Sequence, residues 1–264
     1  QSIRFLLPSF LKKHVPRRKP GRYEVRQCEQ AKVLLLSGCV QSAATPNVTA
    51  SLMQLLLHQG IDAEVINEGC CGALDYHLGA HDVGKARIRQ VIDLLYERIG
   101  QIDQIISSAT GCGVTILEYP QILADEPDYR DKAEAVAAKV VDVVSLLEGM
   151  PFRCRGKQVS VHTPCSMQHG MKLVGRVESI LTAAGATIVP HRNGHLCCGS
   201  AGTYSILQPE ISNKLLARKV HDLESGQPDV IVTANVGCQL FLGEGANVPV
   251  VHWVEYLADN LVQD

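Results

Sequence analysis

His195-Leu196-Cys197-Cys198-Gly199-Ser200-Ala201-Gly202 decides how this chain is read, because Cys70-Cys71-Gly72 carries the same Cys-Cys-Gly core 127 positions earlier. Adjacent thiols bridge one another only through a strained ring. Two such turns are better read as two thiolate pairs offered to something else, a metal or a cluster. Other cysteines recur in register: Cys39 with Cys165 and Cys112 with Cys238, each pair 126 apart.

Each recurring cysteine follows a short apolar run. Residues 32–38 read as a buried strand delivering Cys39, Ala63–Ile66 as a strand leading to Cys70, and 103–108 as a strand ending at Gly111-Cys112-Gly113. In the second half Gln158–His162, 187–190 and 229–233 do the same for Cys165, Cys197 and Cys238. Between them, 47–59, 84–99, 167–184 and 209–223 carry apolar residues at helical spacing, such as Ile88, Val91, Ile92, Leu95 and Ile99. The fold class is therefore α/β: two tandem pseudo-symmetric βαβαβ repeats, Rossmann-like and built on parallel sheet. The expected division is a Pro- and Lys/Arg-rich linker or arm over 1–30, a first cysteine-rich repeat over 31–150 and a second over 151–264. Residues 121–150 read as mostly helical, 140–147 included, and 250–257 as the start of a closing helix.

Parallel strands joined by right-handed crossovers place their C-terminal ends along one sheet edge, where open α/β sheets bind ligands. Cys39, Cys70, Cys71 and Cys112 should converge there in the first repeat, and Cys165, Cys197, Cys198 and Cys238 in the second. Glycines beside them allow tight turns that bring N–H groups to sulfur. Four thiolates suit either zinc or an iron–sulfur cluster. Zinc sites usually draw on Cys-x-x-Cys knuckles, and here the ligands are either adjacent or tens of residues apart, which favours a cluster. Cys28 and Cys154 have no counterpart in the other half and read as incidental thiols; His77 and His195 are candidates to hydrogen-bond sulfur, while His162 and His252 read as structural.

Composition bounds the function. The chain is 46% apolar and 20% charged with a formal net charge of −2, so it has material for a core and no broad basic surface for nucleic acid. Ten cysteines in 264 residues with no signal-peptide pattern point to a reducing, cytoplasmic compartment. No apolar run approaches the roughly 18 residues of a transmembrane helix, so any contact with the inner face of the membrane is expected to be peripheral, through partners. The chain starts at Gln1 and reads as a piece of a longer polypeptide.

The residues Glu68-Gly69-Cys70-Cys71-Gly72-Ala73-Leu74-Asp75-Tyr76-His77-Leu78, the stretch from His195 to Tyr204, Ile231-Val232-Thr233-Ala234-Asn235-Val236-Gly237-Cys238-Gln239 and His252-Trp253 together resemble the paired CCG cysteine-rich domains. That family includes iron–sulfur subunits of glycolate oxidase (glycolate dehydrogenase), lactate-utilisation proteins and the cluster-bearing subunit of heterodisulfide reductase. The resemblance is closest to the glycolate oxidase subunit. It implies a non-catalytic electron-transfer subunit of a flavin-dependent 2-hydroxy-acid dehydrogenase, with the eight repeated cysteines as ligands. Electrons would pass from a flavoprotein partner toward a quinone-type acceptor. Members of that type carry two Cys-x-x-Cys-x-x-Cys motifs before the repeats, absent here, so the resemblance implies the C-terminal part alone. Heterodisulfide reductase relatives have a further cysteine where this chain has Thr115 and Phe241, which favours a [4Fe-4S]-type site over a non-cubane cluster. The alternatives are a thiol–disulfide reductase that uses a cluster and a zinc-stabilised assembly module.

Overall fold

The computed structural model describes residues 32–262; the basic arm over 1–30, with Cys28, lies outside the described residues. The first half runs β1 (Val33–Leu36), α1 (Cys39–Ala44), α2 (Asn47–His58), β2 (Ala63–Ile66), α3 (Ala73–His77), α4 (His81–Tyr96) and β3 (Gln104–Ser107). It continues through α5 (Thr110–Leu117), α6 (Tyr119–Ile122), α7 (Pro127–Ala137), β4 (Val140–Asp142) and α8 (Val143–Leu147). The second half has β5 (Gln158–His162), a π-helical turn (Ser166–Gly170), α9 (Arg176–Ala183), β6 (Thr187–Ile188), α10 (Tyr204–Leu207) and α11 (Pro209–Glu224). It closes with β7 (Val230–Thr233), α12 (Val236–Gly245), β8 (Val250–His252) and α13 (Trp253–Asp259).

Two all-parallel sheets result, ordered β2-β1-β3-β4 and β6-β5-β7-β8. The two-repeat α/β class holds, and each repeat carries a fourth strand beyond the expected three. These strands were read as helix because they are three residues long and run without a loop into the next helix: Val140–Asp142 into α8, Val250–His252 into α13. The expected helix over 167–184 is also broken. Lys172 and Gly175, both at positive φ, separate the π-helical turn from α9.

β1 is buried on both faces, which explains its unbroken apolar run. Leu34 and Leu36 pack with Ile88, Val91 and Ile92 of α4, whereas Val33 and Leu35 face a second core. That second core is shared: Leu52, Leu55 and Leu56 of α2 join Val159, Val161, Val232, Trp253 and Leu257 from the other half. Trp253 is fully buried, the kind of aromatic whose truncation costs about 3–5 kcal/mol. No helix among the described residues is long and apolar enough to cross a membrane.

The helices after β4 and β8 are capped alike. Asp142 Oδ1 accepts from Val144 N at 2.9 Å, and at the corresponding place His252 Nδ1 accepts from Val254 N at 3.2 Å. His252 Nε2 also donates to Ser108 O at 2.9 Å, tying the end of β8 to the first half. The contact from Val254 N requires an unprotonated Nδ1, and burial pushes the His252 pKa down from 6.5 to about 4. Protonation therefore favours the unfolded chain. The stabilisation is complete above pH 6.5 and is lost as pH falls from there toward 4, up to about 3 kcal/mol. Urea midpoints should fall between pH 7 and pH 4.5, and His252→Asn, which keeps a capping acceptor but does not titrate, should flatten that fall. An unchanged slope would show that this imidazole is not the group responsible.

Candidate metal centre

The cysteines reach one edge of each sheet as the topology requires. Cys39 opens α1 after β1, Cys70 and Cys71 follow β2, and Cys112 lies in the first turn of α5 after β3. Cys165 follows β5, Cys197 and Cys198 follow β6, and Cys238 lies in the first turn of α12 after β7. The Cys-Cys-Gly turns depend on glycine. Gly72 (φ 80°) and Gly199 (φ 96°) are in the left-handed region, and a Cβ there would meet Gly84 O at 2.8 Å and Ser212 O at 2.7 Å. These equivalent close approaches press each turn onto its long helix, α4 or α11, with Cys71 and Cys198 buried in the cores those helices form.

In the first half neighbouring thiols act on one another's ionisation in sequence, Cys39 with Cys70, Cys70 with Cys71 and Cys71 with Cys112. In the second half Cys165 and Cys198 act on the ionisation of Cys197, and Cys198 Sγ lies 3.4 Å from Cys238 Sγ. Backbone N–H groups point at the same sulfurs in both: Val40 at Cys39, Gly72 at Cys70 and Ala73 at Cys71, then Ser166 at Cys165, Gly199 at Cys197 and Ser200 at Cys198. The Gly199 N to Cys197 Sγ distance is 3.3 Å.

All eight sulfurs open on a single cavity of about 940 Å³. The sequence implied two corners; the structure makes them face each other. Hydrogen bonds across the halves at the ends of the strands hold this arrangement. Besides His252 to Ser108, Thr110 N donates to Ala234 O at 3.3 Å, Thr110 Oγ1 meets Ser166 Oγ at 2.7 Å, and Gly111 N donates to Asn235 Oδ1 at 3.4 Å. Asn235 Nδ2 in turn donates to Cys238 Sγ at 3.7 Å, so this one side chain spans from beside Cys112 to Cys238.

Most of these thiols are pushed up. Cys39 is raised to about 11 by burial and by Cys70; Cys70, Cys71, Cys165 and Cys198 rise chiefly because their neighbouring thiols compete for the same charge. Cys197 alone is lowered, by thiol donors Cys165 and Cys198 and by Gly199 N–H. Protein groups thus stabilise one thiolate in the second set, and a positively charged guest would favour release of the protons of Cys165 and Cys198. A set of four sulfurs at one sheet edge, with a buried cysteine in each set, fits a soft metal or an iron–sulfur cluster.

The remaining candidates separate cleanly. His77 lines the cavity but is exposed, and His195 is exposed and outside the lining. Tyr204 lines the cavity; Tyr76 does not, and packs on His77 and His81. Cys154 is away from the cavity, its thiol directed at Leu257 O. Thr115 Oγ1 turns back to Gly111 O, and Phe241 packs behind Gly199. His162, read as structural, has a nitrogen grouped with Cys198 and Cys238 Sγ, the three atoms all within 4.8 Å of one another. Tyr119, whose hydroxyl donates to Cys71 O, and the buried Lys219 were not anticipated; a lysine on the apolar stripe of α11 between Leu216 and Leu223 is the signal that marked it.

A family model for the cysteine-rich domain, CCG, matches residues 33–117 and 159–243. The chain belongs to this family. It is 40% identical over 270 residues to the glycolate oxidase iron-sulfur subunit of Escherichia coli, covering all of this chain and 65% of that one. A probable glycolate oxidase iron-sulfur subunit of Bacillus subtilis is 30% identical, covering 94% of this chain and 58% of the relative. The chain therefore spans roughly three fifths of these relatives. Lactate utilization protein A of an Exiguobacterium strain is 27% identical and is covered over 98% of its length. Among solved structures, a hypothetical protein from Helicobacter pylori shares the fold at TM-score 0.61 and 9% identity, covering 92% of this chain and 52% of that one.

In reduced, metal-free protein, iodoacetamide at pH 6 should alkylate Cys197 first, because its neighbours favour its thiolate. Peptide mapping over time checks this. Uniform labelling, or labelling led by the more exposed Cys165, would contradict the charge distribution described above.

Proposed function

We propose that Cys39, Cys70, Cys71 and Cys112 hold one iron–sulfur cluster of the [4Fe-4S] type and that Cys165, Cys197, Cys198 and Cys238 hold a second. We read the chain as the electron-transfer part of a flavin-dependent glycolate (2-hydroxy-acid) dehydrogenase, working beside flavoprotein subunits and delivering electrons toward a quinone-type acceptor. The observation that carries this reading is the convergence of two four-thiol sets on one cavity, each with backbone N–H groups aimed at sulfur. The names of the relatives, glycolate oxidase iron-sulfur subunits among them, support it.

Such a cluster, when bound, accepts and gives up one electron at a time. What the protein contributes is positioning and environment. The thiolates anchor, and the six N–H donors on the turns stabilise charge on sulfur. The half-buried to buried placement of most of the cysteines limits water. Asn235 links the two sets mechanically, since shifting the turn at Gly111 pulls on the amide that touches Cys238.

The grouping of His162, Cys198 and Cys238 within 4.8 Å supports a second reading, a mononuclear zinc site in the second half. Metal analysis separates the two. Anaerobically purified chain should contain iron and acid-labile sulfide in equal amounts, roughly four of each per occupied set for the cluster type proposed. Cys197→Ser should lower both, and in complex with the partner subunits it should slow hydroxy-acid-to-dye electron flow about tenfold or more. Near-stoichiometric zinc without sulfide would overturn the electron-transfer reading.

A further inference from the structure

The two thiol sets stand on equivalent backbone but in unequal surroundings. Leu36 and His162 are equivalent positions: each ends the central strand of its sheet, three residues before Cys39 or Cys165. The matching contacts of Gly72 with Gly84 O and of Gly199 with Ser212 O align α4 with α11, which places Val91 opposite Lys219. The first set is thus backed by leucine and valine where the second is backed by imidazole and ammonium.

His162 is 1% exposed, its Nδ1 is 2.9 Å from Thr233 Oγ1, and its Nε2 has no partner. With the Thr233 hydroxyl donating to Nδ1, the ring proton lies on Nε2, free to be given to a sulfur. Lys219 is 0% exposed and its Nζ donates to Asn193 O and Gly194 O, both at 3.1 Å. Its charge acts on Cys197, Cys198 and Cys238, with Asp222 as the nearby counter-charge. On the first set the corresponding buried polar group is acidic. Glu68 accepts from Ser37 N at 3.0 Å and Gly38 N at 2.6 Å, at the turn that presents Cys39. Its counterpart, His195, is exposed.

We propose that the two sets are redox-inequivalent, the cluster on Cys165, Cys197, Cys198 and Cys238 having the more positive potential because the unpartnered His162 ring nitrogen sits within 4.8 Å of two of its sulfurs and the buried Lys219 ammonium lies on the helix packed behind them. This rests on the cluster reading above. An electron added to a cluster raises its negative charge. An N–H donor and a cation stabilise that state, and a carboxylate opposes it. Electrons entering the cavity then settle on the second set, which gives the chain a direction of flow.

The test is a redox titration, followed by electron paramagnetic resonance, of the chain loaded anaerobically with iron and sulfide. Two separate midpoints are expected. His162→Leu, which installs the residue found in the first half, and Lys219→Met should each move the more positive midpoint down and leave the other in place. Glu68→Gln should move the more negative one up, and this opposite-set variant keeps the test standing if a buried His162→Leu protein does not fold. Coincident midpoints, or a loaded chain whose midpoints ignore these substitutions, would overturn the inference alone. A chain that takes up no iron and sulfide would overturn the cluster reading, and the inference with it.

Discussion

The hydrogen bonds from Thr110 and Gly111 to Ala234, Ser166 and Asn235 join the C-terminal edges of two parallel sheets. A parallel sheet collects its functional residues along one edge, but two sheets in one chain could present those edges in unrelated directions. Here they are pinned face to face, with His252 adding a buried bond from β8 to Ser108. Each bond contributes only about 1 kcal/mol net. The adhesion comes from the shared apolar core of α2, α8, α9 and α13, and the polar contacts fix the register in which that core closes. Without that register there would be two separate four-sulfur corners and no common cavity.

Much of this was legible from spacing. The offsets of 126, 127 and 126 between paired cysteines announced the repeat, and parallel topology followed from strand-helix alternation. Convergence of four thiols per repeat followed from topology as well, because chain distance is irrelevant once strand ends share an edge. Three-residue strands were not legible. Val140-Val141-Asp142 has no period of its own, and its apolar character merges with the helix it caps. Nor was the mutual placement of the halves, since Thr110, Ser166 and Asn235 carry no pattern that distinguishes them from ordinary turn residues.

The equivalence of the two repeats is one of backbone, and the side chains depart from it where they meet the sulfurs. Gly72 and Gly199 repeat because their φ and the carbonyl beneath them leave no room for a Cβ. Leu36 and His162 differ although both end a buried central strand, and Val91 and Lys219 differ although both lie on the buried stripe of a sixteen-residue helix. A buried lysine and a buried histidine with an unpartnered nitrogen are costly to a core and add nothing to packing that leucine and valine do not supply. Their presence beside one thiol set alone is the feature that packing does not account for.

The central claim is that the eight thiols hold two clusters facing one cavity. It is tested most directly by the electron paramagnetic resonance spectrum of the fully reduced, iron-loaded chain, compared with those of Cys112→Ser and Cys238→Ser, each depleted in one set. Two clusters held by sulfurs that line one cavity should interact through their spins, so the spectrum of the parent chain should be broadened and differ from the sum of the two variants. A parent spectrum equal to that sum, or one in which a single variant abolishes all signal, would contradict the account.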